Sequence, residues 1–180
     1  LKPYQKDISK WVMMPGMAKG RHVVVEKRMN DLAKDASSLP VNRVEMGDTK
    51  IGVICSGMAY QYVKEVAPEI SVLKLGIVNP LPMDLIADFA RQVETLYVFE
   101  ELEPVIEEQV AAHGIPVTGK ALTGRQGELS AHKVAKLLGK EIPTAAQPDP
   151  VPARPPVLCP GCPHRGVYAV HKKPKCTVTG

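Results

Sequence analysis

The chain has 180 residues, 44% of them hydrophobic, which suits one domain of ordinary size with extensions and a core burying about 70% of the unfolded surface. Net charge is +4 and only 4% of residues are aromatic; without a basic stripe or a stacking platform, nucleic-acid binding has no support. No apolar run is long enough to span a membrane and no signal peptide opens the chain, so the expectation is a soluble, cytoplasmic protein with no membrane segment.

Residues 1–49 read as an N-terminal linker and helix. Pro3, Pro15 and Gly16 keep residues 1–16 irregular, and Trp11, Val12, Met13 and Met14 make an apolar patch suited to a neighbouring domain. Met17 to Ala36 turns helical, with Val24, Val25, Met29 and Leu32 as its apolar stripe. The opening at Leu1, without an initiator methionine, suggests a fragment of a longer polypeptide.

Lys50 to Gly57 reads as a strand. Its apolar run lacks alternation, as expected of a strand covered on both faces. A short helix follows over Met58 to Val66, then a strand over Ser71 to Val78 and a breaker at Asn79-Pro80-Leu81-Pro82. Asp84 sits near the start of a helix to about Glu94, where an acid suits the positive helix end. Thr95 to Phe99 is a third strand, Pro104 opens a helix to about Ala112, and Ile115 to Thr118 is a short fourth strand. Glu128 to Leu138 is the last helix, ended by Gly139. The alternation predicts an α/β domain over 50–142, a three-layer, open, mostly parallel sheet with helices on both faces. Residues 143–156 carry six prolines and read as a semi-stiff linker, which sets 157–180 apart as a separate C-terminal tail.

Several residues invite a chemical reading. Cys55 closes the first strand at the edge where open α/β sheets hold ligands, yet a lone cysteine after an apolar run is more often a small buried hydrophobe. Glu100, Glu101 and Glu103 follow the third strand and could do acid–base work or hold a cation; a solvated helix start or subunit contact is the plainer account. Gly119, Gly124 and Gly127, with Arg125, match no phosphate-binding spacing and read as a flexible turn. His113 and His132 fall on helices without evident partners.

The densest chemistry lies in Cys159-Pro-Gly-Cys-Pro-His-Arg-Gly166. A Cys-x-x-Cys turn points both sulfurs at one metal or one partner thiol. Pro160 presets one backbone angle and Gly161 permits the positive φ such a knuckle needs. His164 and Arg165 add a proton carrier and a fork for anions. The pair is therefore a redox couple, half of a zinc site with His164 and Cys176 as further ligands, part of an iron–sulfur site, or two thiols without a metal role. Four cysteines, at 55, 159, 162 and 176, are too few and too scattered for a secreted disulfide scaffold.

Arg154-Pro-Pro-Val-Leu-Cys-Pro-Gly-Cys-Pro-His-Arg-Gly166 resembles a signature of the alpha subunit of the indolepyruvate:ferredoxin oxidoreductases. Ile51-Gly-Val-Ile-Cys-Ser-Gly57 and Val98-Phe-Glu-Glu101 stand where that family's transketolase C-terminal-like domain has its first and third strands. The resemblance implies a thiamine diphosphate enzyme that decarboxylates an aryl pyruvate, passes electrons through [4Fe–4S] clusters to ferredoxin and releases the acyl-coenzyme A. It assigns 50–142 to the transketolase C-terminal-like domain and 157–180 to the opening of the diphosphate-binding domain. It implies Cys159 and Cys162 as cluster ligands, and His164 or Arg165 facing the cofactor's diphosphate or the substrate carboxylate. It further implies a beta subunit, an oligomeric assembly and Mg2+ as the cofactor's metal. The family's Gly-Asp-Gly…Asn metal–diphosphate motif and its ferredoxin-like cysteine motifs are absent from these 180 residues. The resemblance thus implies a mainly structural stretch of that enzyme, inactive alone; a stand-alone Cys-x-x-Cys metal or redox module is the alternative.

Overall fold

Local signals start most elements of the computed structural model, which describes residues 3–143, 152–153, 157 and 159–173. Two compact units divide the chain, Leu1–Thr144 and Ala145–Gly180. In the first, the Asp7 carboxylate accepts the Lys10 amide at 3.1 Å and caps α1, Ile8–Trp11. Pro15 then opens α2, Pro15–Ala36, at the helical position where its missing N–H costs nothing. β1 is Arg43–Glu45, β2 Asp48–Ser56, α3 Gly57–Val66, β3 Ile70–Leu75, α4 Met83–Ala90 and β4 Thr95–Phe99. α5 is Val105–Ala112, α6 Lys120–Thr123 and α7 Ala131–Leu137. The second unit carries α8, His164–Lys172.

The sheet order is β1-β3-β2-β4. β2 runs parallel to both neighbours, with Val53 opposite Val72 on one side and Tyr97 on the other. Side chains alternate between its faces. Val53 and Cys55 pack with Ala59 and Val63 of α3 and Val134 of α7. Ile54 packs with Ile86 and Phe89 of α4 and Ile106 and Val110 of α5. From Gly52 to Cys55 both faces are buried, so this part of β2 carries no polar alternation, and the expected three-layer, mostly parallel α/β architecture is what forms. Each fully buried Ile, Val or Phe here contributes roughly 1.5–3 kcal/mol. Among the described residues no helix is long and apolar enough to cross a membrane.

Element ends depart from the sequence reading for identifiable reasons. β1, antiparallel to β3, lies where only a linker was expected; three residues with charged ends give no strand pattern. β3 stops at Leu75 because the Gly76 and Ile77 amides leave the ladder for the Asn42 side-chain oxygen, at 2.7 and 3.1 Å. The expected strand at 115–118 reduces to one bridge, Thr118 with Tyr97, since Pro116 has no N–H to give a ladder. α7 begins at Ala131 rather than Glu128 because Ser130 caps it through the Lys133 amide. In α2, Met29 and Leu32 are half-buried while Val24 and Val25 are exposed, so the expected stripe is covered only in the C-terminal half. Trp11, Val12, Met13 and Met14 are likewise exposed.

Polar contacts tie the N-terminal segment to the sheet and the sheet's edge strand to α3. Buried Asn42 donates to the Ala36 carbonyl at 2.7 Å while its oxygen takes the two amides beyond β3. Glu45 on the edge strand accepts the Tyr60 hydroxyl at 2.7 Å and faces Lys64 at 3.1 Å. The Tyr60 hydrogen bond, and after it Lys64, holds the Glu45 carboxyl below its ordinary value of 4.5. Asn42→Ala strands three backbone groups and should cost about 2–4 kcal/mol. Urea unfolding checks this, a loss under about 0.5 kcal/mol meaning the groups find other partners. Because the folded-state value of Glu45 is depressed, its contribution is complete above the unfolded value and disappears as pH falls through the folded one. Glu45→Gln should therefore lower stability at pH 7 and leave a shallower acid limb in a pH series of melts; superimposable limbs would remove Glu45 from that role.

Candidate functional site

Adjacent strands β2 and β4 send their crossovers opposite ways. α3 leads from β2 toward β3, whereas α5 leads from β4 to Thr118 on the far side. Open α/β sheets hold ligands at such a reversal, outside the carboxyl ends of the strands. A groove of about 510 Å³ lies there, between Ser56 and Gly57 on one strand end and Glu100 to Leu102 on the other. Gly57 sits at φ 53, a left-handed conformation that turns β2 sharply into α3. Ala59, Val78, Val105 and Ile106 make the walls apolar. Leu102 holds φ 58, rare for a residue with a side chain, and is 72% exposed at the rim.

The acids at this edge are structural. Glu100 is buried, and its two carboxylate oxygens accept the Ile106 and Glu107 amides at 2.9 and 3.0 Å, capping α5. Glu101 accepts the Leu129 amide at 2.9 Å, and Glu103 pairs with Arg125 at 3.4 Å. The glycine-rich loop is engaged too. Glu107 accepts the Gly119 and Lys120 amides at 2.8 and 2.7 Å, so the start of α6 already holds a carboxylate from its own chain. A Cβ at Gly119 would meet that carboxylate at 2.5 Å. The turn reading is thus corrected at Gly119, which opens the short capped helix α6, while Gly124 and Gly127, at φ 71 and 74, stay in the turn that follows it. Cys55 is fully buried, and burial first of all, with Glu45 adding, pushes its thiol up to about 12. It is the packing residue expected. His113 uses Nδ1 on the Gln109 carbonyl at 2.8 Å.

The second unit shows the cysteine turn. The Cys162 amide donates to the Cys159 carbonyl at 3.1 Å, and Gly161 takes φ 75 behind Pro160, the conformation expected of it. Cys159 is exposed and Cys162 partly so. Cys162 Sγ stands 3.4 Å from His164 Nδ1. α8 starts at His164, and its first turn carries no acid. Sequence reading did not anticipate this helix; its apolar residues Val167, Tyr168 and Val170 were there to suggest one, but all are exposed. Arg165 is exposed and makes no ion pair among the described residues.

The implied cofactors fit these residues unequally. A [4Fe–4S] cluster takes four ligands. Among the described residues no three His, Cys, Asp or Glu side chains gather to hold a metal ion. Cys176, the further zinc ligand considered, lies outside the described residues. The described donors therefore do not make a cluster site, a zinc site or a Mg2+ site. An anion such as a diphosphate does suit Arg165 on an acid-free first helical turn.

A scan against models of known protein families finds no match. Comparison with curated proteins does. Indolepyruvate oxidoreductase subunit IorA of Thermococcus kodakarensis is 34% identical over 94% of this chain and 30% of its own length. The IorA subunit of Pyrococcus horikoshii is 33% identical over the same shares. The chain is a relative of the IorA subunits. It spans about 30% of the length of the curated relatives it matches. Among solved structures, a 2-oxoglutarate:ferredoxin oxidoreductase from Magnetococcus marinus is 14% identical, with a TM-score of 0.48 over 71% of this chain and 23% of its own.

For an IorA-related chain, an acid pair at the carboxyl edge of the sheet invites a catalytic role. Glu100→Ala should instead show a capping role, lowering stability by about 1–3 kcal/mol through the uncapped α5 amides. Thermal melts check it: an unchanged melting temperature would free Glu100 for chemistry.

Proposed function

We propose that this chain forms a scaffold stretch of an indolepyruvate oxidoreductase of the IorA type. The whole enzyme would oxidatively decarboxylate an aryl pyruvate such as indolepyruvate, form the aryl-acetyl-coenzyme A and pass electrons to ferredoxin. The similarity to IorA subunits over 94% of the chain carries this reading. The role within the enzyme follows from how the side chains are used. Glu100, Glu101 and Glu107 spend their carboxylates on backbone amides, and Cys55 is sealed in the core. What the α/β unit offers outward is shape: an apolar groove at the crossover reversal, rimmed by exposed Met58, Leu102 and Val105. Holding Leu102 in a left-handed conformation costs of order 1–3 kcal/mol. A contact that buries it on assembly with the beta subunit or the rest of the alpha subunit would offset that cost.

Thiamine diphosphate, when bound, supplies the electron sink that makes decarboxylation possible. This chain's contribution to it is electrostatic. Arg165 presents a guanidinium at the positive end of α8, suited to the diphosphate or the substrate carboxylate, with His164 beside it. His164 Nδ1 is engaged by Cys162, which fixes that ring nitrogen.

The whole alpha subunit carrying this stretch, purified with its beta partner, should reduce ferredoxin when given indolepyruvate and coenzyme A. Arg165→Ala in that assembly should raise the thiamine diphosphate or indolepyruvate concentration needed for half-maximal rate by roughly 10–100-fold, the loss of one charge-assisted hydrogen bond. An assembly with no turnover on any aryl pyruvate overturns the reading; unchanged half-maximal concentrations remove Arg165 from it.

A further inference from the structure

We propose that the exposed segment 3–28 is a docking arm that seats Trp11 in the apolar, acid-lined groove of a second copy of this chain, the two copies exchanging arms. Such an exchange covers the groove left open on each copy, and it holds apart from the oxidoreductase chemistry.

From 3 to 28 every residue but Ala18 is exposed. Ile8, Trp11, Val12, Met13, Met14 and Met17 lie open, followed by Val23, Val24 and Val25. Soluble monomers rarely leave so continuous an apolar surface uncovered. Among the described residues, the polar side-chain contacts of this segment reach no further than Asp31. α2 becomes partly covered only at Met29 and Leu32, and fully at Ala36. Its exposed half holds Gly16, Gly20 and three successive valines, all poor helix formers. A helix of that composition draws its stability from packing, and the described residues leave it uncovered.

The groove at the ends of β2 and β4 complements this arm. Its walls are apolar, with Met58, Leu102 and Val105 exposed at the rim. A volume of about 510 Å³ suits a few large side chains rather than a whole helix. Trp and Met are enriched where interfaces bury most deeply, which makes Trp11 the anchor and Met13 and Met14 its neighbours. Charge agrees with shape. The groove lining carries Glu100, Glu101 and Glu103 and no basic residue. Arg125 pairs with Glu103 and Lys120 with the Glu100 carbonyl, which leaves the cluster net acidic. From 3 to 25 the arm has Lys6, Lys10, Lys19 and Arg21 against one acid, Asp7, which caps α1. Lys10 Nζ stands 4.7 Å from the centroid of the Trp11 ring, so the anchor brings a positive charge to the acid rim.

Both surfaces belong to one chain, so a second copy supplies each with its complement. Arms exchanged about a twofold axis close the contact on itself and leave no open end to grow. Roughly 20–30 residues a side make a stable interface, a size that an arm and a groove rim on each copy reach together.

Light scattering of the 180-residue chain at micromolar concentrations should show twice the 19.5 kDa of one chain. Trp11→Asp breaks the arm and Leu102→Arg the groove; both side chains are exposed, so melting temperatures should stay those of the parent. Each variant should raise the dissociation constant of the dimer by about 30-fold or more, the size of an interface anchor. Mixed together, the two variants retain one intact arm and one intact groove, and should associate more tightly than either does alone. Added salt should weaken the parent dimer. With Trp11→p-benzoylphenylalanine, light should crosslink the arm to residues lining the groove of an isotope-labelled second copy. A monomer at every concentration overturns the proposal, as do crosslinks confined to one chain. So does a dimer that Trp11→Asp disperses and Leu102→Arg leaves intact, since the arms would then pair with each other, or a mixture no tighter than its components. None of these readouts uses turnover, so their failure leaves the oxidoreductase reading untouched.

Discussion

β2 is held by parallel partners on both sides and by helices on both faces, and the rest of the α/β unit follows from that placement. A strand buried on every side has no polar face to show. Its side chains must meet two separate cores, Val53 and Cys55 in one and Ile54 in the other. Two cores need crossovers on both faces, which neighbouring strands can supply only by sending their helices in opposite directions. The reversal between β2 and β4 thus results from covering the central strand, and the apolar groove is the gap left where the two crossovers part.

The same edge has a hydrogen-bonding problem. Chain leaving β4 must turn into α5, and the first amides of that helix have no partners within it. Glu100 supplies them from the residue just past the strand, and Glu107 does the same for α6. A carboxylate that accepts two backbone amides is committed, since pulling it toward a substrate would strand both donors in a partly buried place. Acids at a ligand-bearing edge can therefore look catalytic in the sequence and be architectural in the fold.

What the sequence revealed and what it hid divide along physical lines. β2, α3, α5 and β4 were legible because long apolar runs and helix-start residues report burial and capping directly. β1 was hidden because its three residues gain their pairing from β3 and have no pattern of their own. α6 was hidden for a similar reason: four residues start a helix only because Glu107, twelve positions earlier, caps it. The groove could not be read without strand order, although Gly57 and the acids after β4 marked its two sides. The turn at Pro160 and Gly161 was legible because proline and glycine state their backbone angles outright. The helix after it was not, because its apolar side chains have nothing in the described residues to cover them.

The cysteines show how far environment, rather than residue type, sets chemistry. Cys55 sits where Val or Ala would serve, and with no water to stabilise a thiolate its proton stays on. Its sulfur contributes contact area within the core cluster that surrounds it. Cys159 and Cys162 lie on a turn at the surface, Cys159 exposed and Cys162 partly so, and pack in no core cluster among the described residues. There, accessibility, a neighbouring imidazole and a basic surrounding are what the chain supplies.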